Sequence, residues 1–130
     1  MKILASEHNK VYRKFAKYLR KERVAIDRDN KTNTKYLIAE YEGNPIGVVG
    51  WCYIANNHLR FKTDFIDKQF RGKKIYTDLW NERILITLSN KQVKIISAYC
   101  TEMSLPKYIK EGFKIVSVRN NITYVKNKIE

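Results

Sequence analysis

Cysteine and histidine are scarce in this sequence, and their scarcity argues against a structural metal site or a disulfide framework. The two cysteines, Cys52 and Cys100, lie far apart in apolar surroundings and form no Cys-x-x-Cys spacing. Only His8 and His58 offer imidazole ligands. Structural zinc sites need four Cys or His ligands, and disulfide frameworks need several paired cysteines. We therefore expect no metal and no disulfide, and we interpret Cys100 as a core residue.

Glycine is also scarce, with 5 residues in 130. Phosphate-binding and dinucleotide-binding loops need several glycines at fixed spacing, and neither GxxxxGK[ST] nor GxGxxG occurs. The GxSxG nucleophile motif and the HExxH zinc motif are absent as well. The sequence therefore offers no evidence for these nucleotide-binding, hydrolase or metalloprotease classes.

Long apolar runs are missing from the chain. None approaches the roughly 20 residues of a membrane-spanning helix, and polar sequence follows Met1–Leu4 where a secretory signal would have its apolar core. We expect a soluble cytoplasmic protein without a membrane partner. Because 130 residues with 44% hydrophobic content suffice for one core, we also expect a single domain spanning residues 1–130.

Acidic residues are half as frequent as basic ones, 13 against 26, which leaves a formal charge of +13. Such a charge attracts an acidic partner: nucleic acid, an anionic cofactor or an acidic protein surface. The densest basic stretch lies in the predicted first helix and comprises Lys10, Arg13, Lys14, Lys17, Arg20, Lys21 and Arg23. A solvated helix face and a nucleic-acid contact both remain open for this stretch.

Apolar periodicity predicts the order helix, three antiparallel strands, helix, strand, short helix and two strands, with a short strand at 2–4. Ser6 is the predicted cap of a helix that buries Val11, Phe15 and Leu19. A polar loop follows at 26–34. The remaining predicted strands are 36–42, 46–54, 58–67, 93–99, 113–118 and 122–125, and the later helices are 73–88 and 104–112.

A basic segment, residues 65–76 (FIDKQFRGKKIY), leads from the third of these strands into the second long helix. A strand-to-helix loop directs free backbone N–H groups at an anion, and the helix dipole favours negative charge there. Arg71, Lys73 and Lys74 add cations, and Gly72 allows close backbone approach. Because cations are otherwise unfavourable at a helix N-terminus, the segment predicts an anion site.

Another segment, residues 101–113 (TEMSLPKYIKEGF), begins just after the predicted strand 93–99. Ser104 can cap its short helix, Pro106 lies in the first turn, and Gly112 ends it. Together with the hairpin 36–47 (YLIAEYEGNPIG), the two segments resemble the GNAT acyltransferases, and the resemblance covers nearly everything from Tyr36 to the C-terminus.

The family's motifs are matched with substitutions. Arg71 takes the first place of the pyrophosphate motif, while Lys74 and Tyr76 stand where small residues are usual. The segment 101–113 matches the family pattern at Tyr108, Lys110, Gly112 and Phe113. It departs from the pattern at Thr101 and Ser104, which replace the family's Asn and Ala.

The resemblance implies an α/β fold, a mixed, mostly antiparallel sheet flanked by helices, and an N-acetyltransferase that uses acetyl-CoA or another acyl-CoA. The strand ending near Ile66 would diverge from the strand 93–99 to admit the cofactor. Backbone N–H groups of Phe65, Ile66 and Asp67 would hold it and polarise its thioester carbonyl. The implied cofactor-binding residues are Phe65, Ile66, Asp67, Arg71, Gly72, Lys73, Lys74, Tyr76 and Thr101.

Tyr108 matches the family tyrosine that protonates the departing thiolate. Asp64 and Asp67 are the nearest candidates for a base that accepts the proton of the acceptor amine, and Glu40 is a more distant one. The acyl group would pass directly to the amine, without a covalent enzyme intermediate.

The acceptor side is expected to be open, because the region before Tyr36 is too short for the second helix of many family members. A bulky acceptor, protein or nucleic acid, is thereby favoured over a free metabolite. One alternative is a DNA-modifying or nucleic-acid-binding protein similar to phage Mom-type proteins, which the charge favours. Another is an inhibitor or adaptor on the same fold that has lost CoA activity, because Lys74 and Tyr76 replace small residues.

Overall fold

A computed structural model describes residues 1–129 and shows a seven-stranded sheet with helices on both faces. In chain order the elements are β1 (Lys2–Ser6), α1 (His8–Lys21), β2 (Lys35–Tyr41), β3 (Asn44–Ala55), β4 (His58–Ile66), a 3₁₀ turn (Lys68–Phe70), α2 (Ile75–Thr87), β5 (Ile95–Cys100), α3 (Leu105–Lys110), β6 (Lys114–Arg119) and β7 (Ile122–Lys128). The strands lie in the order β1-β2-β3-β4-β5-β7-β6. Among the described strands, only β4 and β5 pair in parallel. The predicted mixed, mostly antiparallel α/β fold is confirmed.

The two faces of the sheet carry separate apolar cores. The larger core packs α2 and α3 against alternate residues of the strands, with Leu79 and Trp80 among its fully buried members. The smaller core packs α1 against β2, β3 and β4 through the predicted stripe Val11, Phe15 and Leu19. Because α2 and α3 pack on the opposite face and α1 contacts β2, β3 and β4, the strands beyond β4 have no helix on the α1 face in the described chain.

β4 and β5 diverge toward their C-terminal ends. Their pairing runs from His58 opposite Ile95 to Phe61 opposite Ala98 and stops there, although β4 continues to Ile66. An irregularity in the β3–β4 register begins at the same level, where Thr63 has a left-handed φ of 64°. Such a bulge bends a strand and re-aims its side chains. The opening between these strands is the divergence that the resemblance implied.

Several predicted boundaries need correction. Ser6 does not cap α1, because it is the last residue of β1, and the N-cap position belongs to Glu7. α2 begins at Ile75 rather than at 73, since Lys74 is held in a left-handed conformation (φ 68°) that a helix cannot include. β5 begins at Ile95 rather than at 93, and β7 continues to 128.

Residues 22–34, between α1 and β2, contain no helix, as the length of this region predicted. The imidazole of His8 holds the segment against the sheet. Its Nδ1 lies 2.8 Å from the Tyr36 hydroxyl, and its Nε2 lies 2.8 Å from the Asp27 carbonyl oxygen. Within residues 1–129, no helix is long and apolar enough to cross a membrane.

Candidate active site

A buried polar cluster of four residues lies beside the divergence of β4 and β5. Asp64 comes from β4, just after the bulge, Tyr76 and Arg83 come from α2, and Tyr108 comes from α3. The Asp64 carboxylate accepts two bonds from the Arg83 guanidinium, at 2.7 and 2.9 Å, and one from the Tyr108 hydroxyl at 2.8 Å. The Tyr76 hydroxyl donates a fourth bond to it. The carboxylate therefore holds the other three side chains in place.

The charge pair at the centre of this cluster is inaccessible to water. Arg83 is 0% exposed and Asp64 is 5% exposed. Burial opposes the charge of the guanidinium, but the Asp64 carboxylate, Tyr108 and Tyr76 together outweigh that effect, so the pKa of Arg83 is raised. The guanidinium carbon also lies 3.8 Å from the Phe61 ring centroid, and Nη1 donates to the Gly50 carbonyl oxygen. The ion pair of Arg83 and Asp64, together with the bond to Gly50, thus connects α2 to β4 and β3.

Both tyrosines of the cluster are protonated at neutral pH. Burial raises the pKa of Tyr108 well above its ordinary value, and the nearby negative charge of Asp64 raises it further. The same two causes raise the pKa of Tyr76. Trp80 fixes the Tyr108 ring edge to face, with the ring centroids 4.7 Å apart. Both hydroxyls are therefore proton donors at neutral pH.

The loop before α2 has the geometry of an anion site. Gly72 and Lys74 both have positive φ, 77° and 68°. Among the described residues, the backbone N–H groups of 72–77 have no hydrogen-bond acceptor. Successive unpaired N–H groups at a helix N-terminus form a concavity for an anion. A diphosphate fits this donor set, and the exposed Lys73 and Lys74 add positive charge beside it.

Arg71 is placed near this loop but is already engaged. Its guanidinium lies 2.6 Å from a carboxylate oxygen of Glu22, at the C-cap of α1, and its Nε donates to the Ile66 carbonyl oxygen at 2.8 Å. In this structure Arg71 therefore connects α1 to the end of β4. Its side chain still lines two cavities and is about 29% exposed.

Residues 65–67 offer fewer free backbone N–H groups to a cofactor than the sequence predicts. Phe65 packs into the smaller core and Ile66 into the larger one, so their side chains serve the fold. The N–H of Asp67 donates to the Ile46 carbonyl oxygen at 2.8 Å and is not available to a cofactor. The prediction that the Asp67 N–H holds the cofactor is therefore wrong, because this N–H already donates to the β3 backbone. The Asp67 carboxylate has no hydrogen-bond partner in the part of the chain described.

Two cavities meet at the side chains of Arg71 and Met103. The small cavity, about 260 Å³, lies against the loop before α2 and is also lined by Ile66, Phe70, Gly72, Lys74, Tyr76 and Thr77. The large cavity, about 560 Å³, lies between the end of α1, the 3₁₀ turn and the β6–β7 turn, and Thr101 lines it. The buried Thr101 hydroxyl has no partner in residues 1–129. The structure thus brings Thr101 and the 71–76 loop to adjoining spaces.

The sequence interpretation missed Arg83, which forms the strongest contacts of the cluster. A signal for it exists: the buried positions of α2 include 75, 79, 83 and 87, one every fourth residue, and 83 carries a charge. A charged residue in an apolar stripe indicates a buried partner of opposite charge. The predicted candidate Glu40 lies elsewhere, paired with Lys10 at 3.1 Å.

Comparisons with known proteins give a family match and similar folds. A family model described as an acetyltransferase (GNAT) domain matches residues 3–129. A GNAT-family acetyltransferase from Staphylococcus aureus Mu50 superposes with a TM-score of 0.72 at 17% identity, covering 99% of this chain and 100% of that one. PaiA N-acetyltransferase from Thermoplasma acidophilum, in complex with coenzyme A, gives 0.69 at 16% identity and covers 99% and 100%. An acetyltransferase from Streptococcus agalactiae 2603 gives 0.70 at 13% and covers 98% of each chain. No curated protein sequence matches.

Proposed function

Because the chain belongs to the GNAT acetyltransferase family, we propose that it transfers an acetyl or other acyl group from acyl-CoA directly to an amine on a bulky acceptor. Family membership confirms two predictions made from the sequence, the N-acetyltransferase class and acetyl-CoA as cofactor. The site residues, the acceptor and the order of proton transfers are proposals.

One observation carries the proposal: the run of unpaired N–H groups at 72–77 opens beside the diverging strands. In the proposed complex these groups hold the cofactor's diphosphate, and Lys73 and Lys74 balance its charge. Thr101 would offer its unpartnered hydroxyl from the opposite side of the divergence. The cofactor, once bound, supplies an acyl thioester that an amine can attack.

Tyr108 is the proposed acid for the departing thiolate. Its raised pKa keeps the hydroxyl protonated, and its ring is fixed between Trp80 and Phe113, at centroid distances of 4.7 and 5.0 Å. The Tyr108 hydroxyl donates a hydrogen bond to the Asp64 carboxylate, which therefore orients the hydroxyl. We assign Asp64 this positioning role in place of the predicted role as base. Asp67, whose carboxylate is unpaired in the described chain, is the proposed base.

Direct transfer is supported by the state of the nearby thiol. Cys100 is 1% exposed, and burial raises its pKa to about 12, with the negative charge of Asp64 adding to the effect. A nucleophilic cysteine needs a thiolate at working pH, which requires a lowered pKa. Cys100 therefore remains a core residue, and the amine itself is the proposed nucleophile.

A bulky acceptor is favoured by the open side of the site. The segment 22–34 contains no helix that would cover the divergence, and the large cavity opens between separate loops. A macromolecular amine can reach such a site from outside. A small metabolite would find few walls to enclose it.

The first test measures CoA release from acetyl-CoA with an acidic, lysine-containing unfolded protein such as casein and with spermidine as acceptors, using wild type and Tyr108→Phe. We expect the protein to be the better acceptor, because its negative charge suits the basic surface of this chain. The phenylalanine keeps the ring contacts but removes the acidic hydroxyl, so turnover should fall about 10- to 1000-fold. Acetyl-CoA should raise the Tm of both proteins equally at moderate salt, because the variant leaves the anion site intact.

Tyr76→Phe is the matched control, since it also removes one hydrogen bond to Asp64. We expect it to lower turnover by less than about tenfold. An equal loss in both variants would remove Tyr108 as the acid. If acetyl-CoA fails to stabilise the wild type, CoA-dependent activity is refuted in favour of the inhibitor or adaptor alternative. A preference for spermidine would refute the bulky acceptor.

A further inference from the structure

The sheet has an uncovered surface on the α1 side of β5, β7, β6 and the first part of β4 (residues 58–62), which we call the open face; the end of β4 is covered by α1 through Phe65. The strand registers place its residues in rows: His58 beside Ile95 and Lys128, and Arg60 beside Ser97, Lys126 and Lys114. The opposite sides of the same strands carry buried core residues such as Leu59, Ile96 and Val125. The open face is therefore the outward side of these strands and is free of helices.

An aromatic pair occupies the middle of the open face. The rings of Tyr99 and Tyr124 are stacked, with centroids 4.6 Å apart and planes inclined by 27°. The Arg60 guanidinium lies over both rings, 4.9 Å from one centroid and 5.9 Å from the other. Tyr99 is 59% exposed, so its ring is accessible from solvent.

The charge on this face is of one sign. Its cations are Arg60, Lys114, Arg119, Lys126 and Lys128, and none of them forms an ion pair within residues 1–129. The only acidic residue of the four strands is Asp64, which is buried in the polar cluster on the other side. Partial burial lowers the pKa of His58, and the positive charges of Arg60 and Lys126 lower it further. The open face thus attracts anions.

We propose that the open face binds single-stranded nucleic acid, with bases stacking on Tyr99 and Tyr124 and the phosphate backbone contacting the surrounding cations. Stacking requires bases whose faces are exposed, which a single strand provides and a duplex does not. An acidic polypeptide would satisfy the cations but would leave the aromatic pair without a role. A sheet surface that combines aromatic and basic side chains is suited to a single strand.

The open face adjoins the proposed active site. Tyr99 and Lys62 line a small pocket together with Asp64, Thr101 and Tyr108. A base stacked on Tyr99 therefore lies at the divergence of β4 and β5. If the proposed transferase activity holds, the strand or a protein bound to it is the acceptor, and this statement rests on the proposed function. The binding itself does not depend on that function.

The test measures fluorescence anisotropy of a labelled single strand of about 15 thymidines between about 50 and 200 mM salt. We expect binding that weakens with salt, with a log–log slope of about −2 to −4, because three to five phosphates are contacted at about 0.7 each. Arg60→Ala/Tyr99→Ala should lower the affinity about 10- to 100-fold. Tyr99→Trp should retain the wild-type affinity, since it keeps an aromatic surface.

The matched control is Tyr53→Ala/Lys91→Ala, which also removes one exposed tyrosine and one cation. Tyr53 contacts Asn90, away from the open face. We expect this control to bind within about twofold of wild type, as exposed residues outside the site contribute little. Circular dichroism of both double variants shows whether the fold is retained, and the acetyl-CoA-induced rise in Tm shows whether the cofactor site is retained. A loss of nucleic-acid affinity with both retained is then due to the open face.

Four results would overturn the proposal. The first is no binding at about 150 mM salt, where charge alone is screened. The second is an equal loss in the two double variants. The third is equal affinity for a duplex of the same length or for polyglutamate. The fourth is a loss confined to Lys14→Ala/Lys17→Ala on the exposed face of α1, which would assign the binding to that helix.

Discussion

The two sides of β4 and β5 use their charged residues in opposite ways. On the side of α2, one carboxylate and one guanidinium are buried together, and Asp64 accepts four hydrogen bonds, one on Oδ1 and three on Oδ2. On the open face, the cations lie at the surface without ion pairs in the described chain. A buried charge must be compensated inside the protein, whereas an exposed one retains water or attracts a partner. The same strands therefore carry a hydrogen-bonded polar cluster on one side and the proposed binding surface on the other.

The largest effect is expected from Asp64→Asn, which breaks the buried side of this comparison. The amide cannot neutralise Arg83, so a charge that is 0% exposed loses its partner. We expect the free energy of unfolding, measured in urea, to fall by about 3–5 kcal/mol.

Asp64→Asn/Arg83→Met is the matched control for that change. Removing both charges should recover much of the loss, because a methionine fills apolar space without an uncompensated charge. A loss below about 1 kcal/mol in the single variant, the range of an exposed pair, would show that the pair is not energetically buried.

A smaller effect is expected from alkaline pH. Burial raises the pKa of Cys100 from 9.0 to about 12 and that of Tyr36 from 10.0 to about 12. A raised pKa in the folded state means that stability is complete below the unfolded value and is lost as pH rises through the folded value. The free energy of unfolding should be level from about pH 7 to 8.5 and should fall from about pH 9 upward.

Cys100→Ala sharpens this second prediction. The variant removes the group with the lowest ordinary pKa among those with raised values, so the decline should begin near pH 10 instead of near pH 9. An onset that does not move in urea titrations would show that the thiol does not titrate with folding.

The smallest effect is expected from Lys126→Ala on the open face. Its side chain is exposed, so the free energy of unfolding should change by no more than about 0.5 kcal/mol. Burial, Arg60 and Lys126 lower the pKa of His58, in that order of size. Removing the charge of Lys126 should therefore raise the pKa toward 6.5. NMR titration resolves this imidazole from that of His8, and Lys91→Ala should leave it unchanged. A His58 pKa that does not respond would refute the positive potential of the open face.

Much of the fold could be predicted, because its elements follow local periodicity. The apolar stripe of α1 is recognisable without tertiary information, and so are the two hairpin turns, although the predicted turns at 43–45 and 55–57 lie at 42–43 and 56–57 in the structure. The start of α2 was placed two residues early, since no local pattern shows that Lys74 adopts a left-handed conformation. Ser6 was assigned to a cap because its residue type suits one, but pairing with β2 draws it into β1.

The candidate site was predictable where it follows a motif and not where it depends on contacts. The loop 71–76 and Tyr108 were selected from their resemblance to family segments, and the structure places them around the divergence of β4 and β5. Arg83 was missed, and Arg71 was expected to be available although Glu22 binds it. Asp64 was a candidate base, but three donors from two helices converge on it.

By itself, the sequence determined the order of the elements, the excess of positive charge and the family to which the chain belongs. These properties depend on composition and on spacing along the chain, which are local quantities. The tertiary structure decided which charges are paired in the interior and which remain at the surface. That decision depends on the bulge at Thr63 and on the packing of α2 and α3, because burial and pairing are set by distances between residues far apart in sequence.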